Sequence, residues 1–150
     1  MTDPIRLLLA DDQQMVRAGF RLVLDAQPDM SVVGEANDGA EALQLVDELA
    51  PDVVLMDIRM PVLDGLGATE KIMTSHPEAK ILVLTTFDLD EYVHSALRAG
   101  ASGFMLKDAG PTELLAAIRA VRDGDSVVAP SATRRLIERF IPRQGEGAAT

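Results

Sequence analysis

Hydrophobic and polar positions along the chain follow two alternating patterns. Five short apolar runs, rich in branched aliphatic residues and bounded by turn residues, are predicted to be β-strands. Elsewhere apolar residues recur every three or four positions, which predicts five amphipathic helices. The predicted strands lie at residues 5–10, 30–36, 53–57, 79–84 and 102–106, and the helices lie in the four intervening segments and at 111–122.

This strand and helix alternation predicts an α/β fold, in which a parallel sheet is covered by helices on both faces. Crossovers of this length are right-handed, which leaves few possible topologies. Because the strands run parallel, their carboxyl ends meet at one edge of the sheet, the edge where open α/β sheets bind ligands. The side chains that end the strands are therefore the first candidates for a functional site.

Polar residues stand at four of the five predicted strand ends. Asp11 and Asp12 follow the first strand, Asp57 ends the third, Thr85 follows the fourth and Lys107 follows the fifth. Each pair of close carboxylates repels by about 1 to 4 kcal/mol, depending on the local dielectric. A hard divalent cation with oxygen ligands offsets such repulsion, and Mg²⁺ is the one we expect.

The same residues fit the requirements of phosphoryl transfer. A carboxylate such as Asp57 can act as a nucleophile and form an acyl phosphate. Lys107 offers a compact positive charge and Thr85 a hydroxyl group, and both suit a phosphoryl group whose oxygens carry negative charge.

Composition narrows the class of protein. A chain of 150 residues with 47% hydrophobic content suits a single domain with one well-buried core. The net charge of −10 argues against broad contact with nucleic acid phosphates or an anionic membrane. The absence of Cys excludes disulfides and thiolate metal sites. The first apolar run is too short for a signal sequence or a membrane span, and we expect a soluble, cytoplasmic protein.

Taken together, these motifs resemble the receiver domain of two-component response regulators. The similarity covers about residues 5–124. It implies a flavodoxin-like (CheY-like), doubly wound, five-stranded parallel sheet of order 2-1-3-4-5, with helices on both faces. The residues that carry it are Asp11-Asp12, Asp57-Ile58-Arg59-Met60-Pro61, Leu63-Asp64-Gly65, Thr85, and Gly100-Ala101-Ser102-Gly103-Phe104 followed by Lys107.

The resemblance also implies a role for each site residue. Asp57 would accept a phosphoryl group from the phosphohistidine of a sensor histidine kinase. Asp11, Asp12 and Asp57 would hold Mg²⁺ together with the backbone carbonyl of Arg59. Thr85 and Phe104 would form a switch pair, and Lys107 would bind the phosphoryl group. From their position beside the site, Arg59 and Thr86 could tune how fast water attacks the acyl phosphate, or both could simply be solvated.

Such a protein is a phosphorylation-activated signalling switch that assists its own phosphorylation and dephosphorylation, instead of an enzyme that turns over a substrate. We expect its output to be a changed surface or a homodimer formed on phosphorylation. From the sequence alone, Phe104 could equally be core filler, and Asp11 or Asp12 could cap the first helix.

Finer features are similar to the NarL/FixJ (LuxR-type) subgroup, namely Thr85-Thr86-Phe87, Lys107-Asp108 and the segment 125–130. Members of that subgroup usually carry a C-terminal helix-turn-helix, so DNA would be bound only through a domain that this chain lacks. We expect a receiver domain at 1–124, a linker with an additional C-terminal helix at 125–143 and a disordered tail at 144–150. An excised receiver of a transcription regulator is favoured over a natural single-domain protein.

A Mg²⁺-dependent phosphatase with an aspartyl-phosphate intermediate is the rival function. Phosphatases of the haloacid dehalogenase type need an Asp two residues after the nucleophile. Position 59 is Arg, so the general acid of that reaction is missing and the switch is favoured.

Overall fold

Six parallel strands form one sheet in a computed structural model of the chain, which describes residues 3–85, 90–125 and 127–128. Their order across the sheet is β2-β1-β3-β4-β5-β6. The order of the five predicted strands is therefore confirmed. The strands are β1 (Ile5–Ala10), β2 (Met30–Ala36), β3 (Val53–Asp57), β4 (Ile81–Thr85), β5 (Gly103–Leu106) and β6 (Val127–Val128).

The short strand β6 is an addition to the predicted elements, and it lies within the segment 125–143 that the sequence prediction assigned to a linker and a helix. Val127 and Val128 pair in parallel with Gly103 and Phe104 of β5. Two residues are too few to show a periodic pattern, so the sequence carries no signal for this strand. The predicted C-terminal helix and the predicted tail at 144–150 lie outside the described residues.

In the part of the chain that the structure describes, five helices connect or follow the strands, and local sequence explains where most of them begin. Asp38 and Asp64 are N-caps whose side chains accept hydrogen bonds from the backbone N–H groups of Glu41 (2.8 Å) and Gly67 (2.7 Å). Pro111 occupies the first turn of the last helix, where its missing N–H costs nothing. The helices are α1 (Gln14–Asp25), α2 (Gly39–Leu49), α3 (Gly65–Ser75), α4 (Asp90–Arg98) and α5 (Pro111–Arg122).

The helices cover both faces of the sheet, and the core forms two apolar layers. One layer packs α2, α3 and α4 against the sheet, with Phe104 as its largest fully buried side chain. The other packs α1 and α5 against the opposite face. Because β3 and β4 are buried on both faces, they are apolar along nearly their whole length and show no alternation. No helix within 3–85 or 90–125 is long and apolar enough to cross a membrane.

Helix α2 ends with Ala50 in the left-handed conformation, at φ 45° and ψ 59°. This conformation strains every residue that has a Cβ atom and suits glycine. We expect Ala50→Gly to raise the free energy of unfolding by about 0.5 to 1 kcal/mol, measured by urea denaturation. The matched control is Ala26→Gly at the end of α1, where φ is −73°. That variant should lose stability, and a loss in both variants would contradict the prediction.

Candidate functional site

The carboxyl ends of β1 and β3 bring three carboxylates together. Ala10 pairs with Met56, so the next residues of the two strands, Asp11 and Asp57, stand side by side. Asp11, Asp12 and Asp57 each offer one carboxylate oxygen, and these oxygens all lie within 4.8 Å of one another. Asp11 and Asp57 are buried, whereas Asp12 is exposed. We call these three residues the acidic cluster; they are brought together as the sequence predicted.

Lys107 reaches this cluster from the end of β5. Its Nζ lies 2.5 Å from Oδ2 of Asp11 and 3.3 Å from Oδ2 of Asp57, with only 12% of the side chain exposed. The backbone N–H of Lys107 donates to the carbonyl of Thr85 at 2.8 Å, which fixes the start of its loop against the end of β4. One ammonium group is therefore held between two buried carboxylates.

The cluster carries more negative charge than Lys107 compensates. The pKa of Asp57 is raised to about 6: burial is the largest cause, the ammonium group of Lys107 lowers the pKa, and the nearby charges of Asp11 and Asp12 raise it. Three converging carboxylate oxygens are also the donor set that hard divalent cations prefer. The residues present therefore fit a Mg²⁺ ion. Beside the cluster, Asp12 and Arg59 line an open cleft of about 460 Å³.

The loop between β3 and α3 is anchored at both of its ends. Gly65 N–H donates to the carbonyl of Ile58 at 2.7 Å, and Leu63 accepts from Gly39 N–H at 2.9 Å. Val62 has φ 70°, and Leu63 N–H donates to the carbonyl of Pro61 at 2.8 Å, which makes a γ-turn centred on an exposed Val. These bonds hold the chain that follows Asp57 in one conformation.

The family model described as the response regulator receiver domain matches residues 7–119. The chain belongs to this family. The receiver domain is also similar to two regulatory proteins. It is 48% identical over 143 residues to the uncharacterized transcriptional regulatory protein YxjL of Bacillus subtilis (strain 168), covering 95% of this chain and 66% of the relative. It is 43% identical over 145 residues to the oxygen regulatory protein NreC of Staphylococcus carnosus (strain TM300), covering 96% and 67%.

The chain thus spans about two thirds of the length of these relatives. Among solved structures, the receiver domain resembles a two-component response regulator of the LuxR family from Aurantimonas sp. SI85-9A1, with a TM-score of 0.88 and 34% identity over 93% of this chain and 99% of that one. It also resembles the isolated REC domain of RcsB from Salmonella enterica serovar Typhimurium in the presence of the phosphomimetic BeF3⁻ (TM-score 0.80, 27% identity, 89% and 99% coverage).

Thr85 and Phe104 of the receiver domain are both buried. Thr85 ends β4 next to the acidic cluster with 1% of its surface exposed. Phe104 lies on the neighbouring strand, opposite Val83, and its ring is fully enclosed in the layer beneath α2, α3 and α4. The ring is therefore part of the core in this structure. Thr86, which was predicted to tune the site, lies outside the described residues.

Neither Asp11 nor Asp12 caps α1, although the sequence allowed it. The N-cap of α1 is Gln13, whose side chain makes no capping hydrogen bond. Instead, Oδ1 of Asp11 accepts from the backbone N–H of Gln13 at 2.8 Å. Sequence reasoning also missed Arg17, a buried cation beside the cluster. The only sequence signal for it is a basic residue within the apolar repeat of α1.

Proposed function

We propose that Asp57 of this receiver domain accepts a phosphoryl group from the phosphohistidine of a sensor histidine kinase. The observation that carries the proposal is the acidic cluster at the edge of the sheet with Lys107 Nζ 3.3 Å from Oδ2 of Asp57. A buried carboxylate beside an ammonium group, in a pocket suited to a divalent cation, matches the needs of phosphoryl transfer.

In the proposed reaction, a carboxylate oxygen of Asp57 attacks phosphorus while the bond from phosphorus to the imidazole nitrogen of the donor breaks. The donor ring carries a proton on its other nitrogen, so the products are an acyl phosphate on Asp57 and a neutral histidine on the kinase. Lys107 already faces Oδ2 of Asp57 and can follow the negative charge onto the phosphoryl oxygens. The hydroxyl of Thr85, at the end of the adjacent strand, would donate a hydrogen bond to the same group.

The ligands that would hold Mg²⁺ are the carboxylates of Asp11, Asp12 and Asp57 and the backbone carbonyl of Arg59. When bound, this ion would neutralise charge on the transferred group. Arg59 stands where haloacid dehalogenase-type phosphatases need an acid, so position 59 supplies no general acid for hydrolysis of the acyl phosphate. This absence favours a lasting signal on Asp57 over turnover.

The proposed output is a changed surface and a homodimer that forms on phosphorylation, with Thr85 and Phe104 as the switch pair. Because the similar proteins include a transcriptional regulatory protein and are longer than this chain, we propose a DNA-binding helix-turn-helix domain after the receiver. In this proposal the receiver spans 1–124, the segment 125–143 links it to that domain, and the whole protein acts in the cytoplasm.

Incubation with Mg²⁺ and acetyl phosphate tests the proposal without the kinase. We expect intact-mass spectrometry to show a species heavier by one phosphoryl group, and hydroxylamine, which cleaves acyl phosphates, to remove it. The control is the same incubation with excess EDTA, which should leave the mass unchanged. An unmodified mass in the presence of Mg²⁺, under conditions that label other receiver domains, would refute the proposed function.

A further inference from the structure

Arg17 is the least exposed basic residue that the structure describes, with 7% of its surface accessible. It lies on the side of α1 that faces the sheet. Its guanidinium group makes two different contacts: Nη1 donates to the backbone carbonyl of Asp11 at 2.5 Å, and Nε donates to Oε1 of Glu35 at 3.0 Å. Arg17 therefore connects β2, through Glu35, to the first residue of the acidic cluster.

Glu35 is itself held by two arginines. Its second oxygen, Oε2, accepts from Nη1 of Arg21 at 2.6 Å, and its side chain is 29% exposed. Burial of Glu35 would raise its pKa, but hydrogen bonds from Arg21 and Arg17 hold the pKa below its ordinary value, which keeps the carboxylate charged. The charged Glu35 orients the planar guanidinium of Arg17, so that Nη1 points at Asp11.

Asp11 is fixed at four points. Its N–H donates to the carbonyl of Ala36 at 3.0 Å, its Oδ1 accepts from Gln13 N–H, its Oδ2 pairs with Lys107, and its carbonyl accepts from Arg17. The Arg17 contact is the one that acts on the peptide bond joining Asp11 to Asp12. It therefore bears on the position of both carboxylates that follow β1.

We propose that Arg17 is a positioning residue that sets the affinity of the acidic cluster for its divalent cation, with Glu35 as its support. The inference rests on the proposed Mg²⁺-dependent function of the cluster. The loss of a group that hydrogen-bonds to a metal ligand typically lowers the affinity for the metal by about 10- to 100-fold. A purely structural role for Arg17 would instead change the stability of the fold and leave the affinity of the folded protein unaltered.

The test compares Arg17→Lys with Arg21→Lys. A single ammonium group cannot bind Glu35 and the Asp11 carbonyl with the fork geometry of a guanidinium. Arg21 is a matched control, because it lies on the same helix and binds the same Glu35, while its other side-chain hydrogen bond goes to Asp25 and not to Asp11. By titration calorimetry with MgCl₂, we expect the Kd of Arg17→Lys to rise about tenfold and that of Arg21→Lys to stay close to the wild-type value.

The rate of labelling by acetyl phosphate distinguishes a weaker affinity for Mg²⁺ from damage to the reactive site at Asp57. At limiting Mg²⁺, Arg17→Lys should be slower than the wild type in proportion to its higher Kd. At saturating Mg²⁺ its rate should return close to that of the wild type, since Asp57 and Lys107 are untouched. A cooperative urea transition in each variant confirms that the comparison is made on folded protein.

Should Arg17→Lys fail to fold, Glu35→Gln tests the same contact with Arg17 in place, and its Kd for Mg²⁺ should rise severalfold. A wild-type Kd in the folded Arg17→Lys variant, or in Glu35→Gln when the former does not fold, overturns the inference. Wild-type protein that binds no Mg²⁺ would overturn the proposed function and this inference together, before any variant is compared.

Discussion

Asp57→Asn is expected to abolish phosphoryl uptake from acetyl phosphate and, at the same time, to make the metal-free protein more stable. The loss follows because the amide of Asn is not a nucleophile that can form an acyl phosphate. The gain follows because the wild-type carboxylate is buried beside Asp11 and Asp12, where its charge is unfavourable.

The way in which the free energy of unfolding depends on pH follows from the pKa of Asp57, which is raised from 3.8 to about 6 in the folded protein. Between these values the folded state holds a proton that the unfolded state has released, so wild-type stability falls as pH rises toward 6. The full difference corresponds to about 3 kcal/mol. A neutral Asn avoids this cost, so Asp57→Asn should be more stable by about 2 to 3 kcal/mol at pH 8 and close to the wild type at pH 4.

Urea denaturation in EDTA at pH 4, 6 and 8 measures this difference, and intact-mass spectrometry measures the uptake. Asp38→Asn is a suitable control, because Asn also serves as an N-cap and the replaced carboxylate accepts from Glu41 N–H at the start of α2 and is not a member of the acidic cluster. It should label normally and gain no stability at high pH. If Asp57→Asn were less stable than the wild type in EDTA at pH 8, the electrostatic account of the cluster would be wrong.

Gly65→Ala is expected to lower the free energy of unfolding by about 3 kcal/mol and to impair phosphoryl uptake. A Cβ atom on Gly65 would overlap the carbonyl oxygen of Asp57 and crowd the backbone of Ile58. These are main-chain atoms of the strand end that carries Asp57, so they can move only if the carboxylate moves as well. The effect on the site therefore accompanies the effect on the fold.

Gly19→Ala provides a control with the same change of atoms. Gly19 lies within α1, and a Cβ atom there would meet nothing within 4 Å. Alanine is the better helix former, so this variant should gain about 0.5 to 1 kcal/mol. Urea denaturation measures the free energy of unfolding of both variants. Equal changes in this free energy would show that the close approach at Gly65 does not constrain the loop.

The position of Lys107 beside the acidic cluster was predictable from sequence for a simple physical reason. Asp57, Thr85 and Lys107 each end an apolar run, and a parallel sheet places all such ends on one edge. The N-cap at Asp38 and the left-handed Gly100, with φ 102°, depend on their immediate neighbours alone and were also predictable. Local pattern and one rule of topology were enough for these features.

Other features depend on distances that a sequence does not contain. Arg17 is held by Glu35, which lies 18 residues away on another element, so no spacing within α1 identifies the pair. Gly65 is required because the start of α3 lies against the backbone at the end of β3 and leaves no room for a Cβ atom. Only the three-dimensional arrangement of the two elements shows this contact. A two-residue strand such as β6 is also too short to show the periodic pattern from which strands are predicted.

The pairing of β6 with β5 determines where a following domain would be tethered. Val127 and Val128 pair in parallel with Gly103 and Phe104, so any connection to a following domain starts after residue 128 instead of after residue 124, where the receiver was predicted to end. Four residues that would otherwise extend the connection are lost to it, which removes about 13 Å of reach. A shorter connection keeps the following domain at a higher effective concentration near the receiver. It also starts on the strand that pairs directly with Phe104.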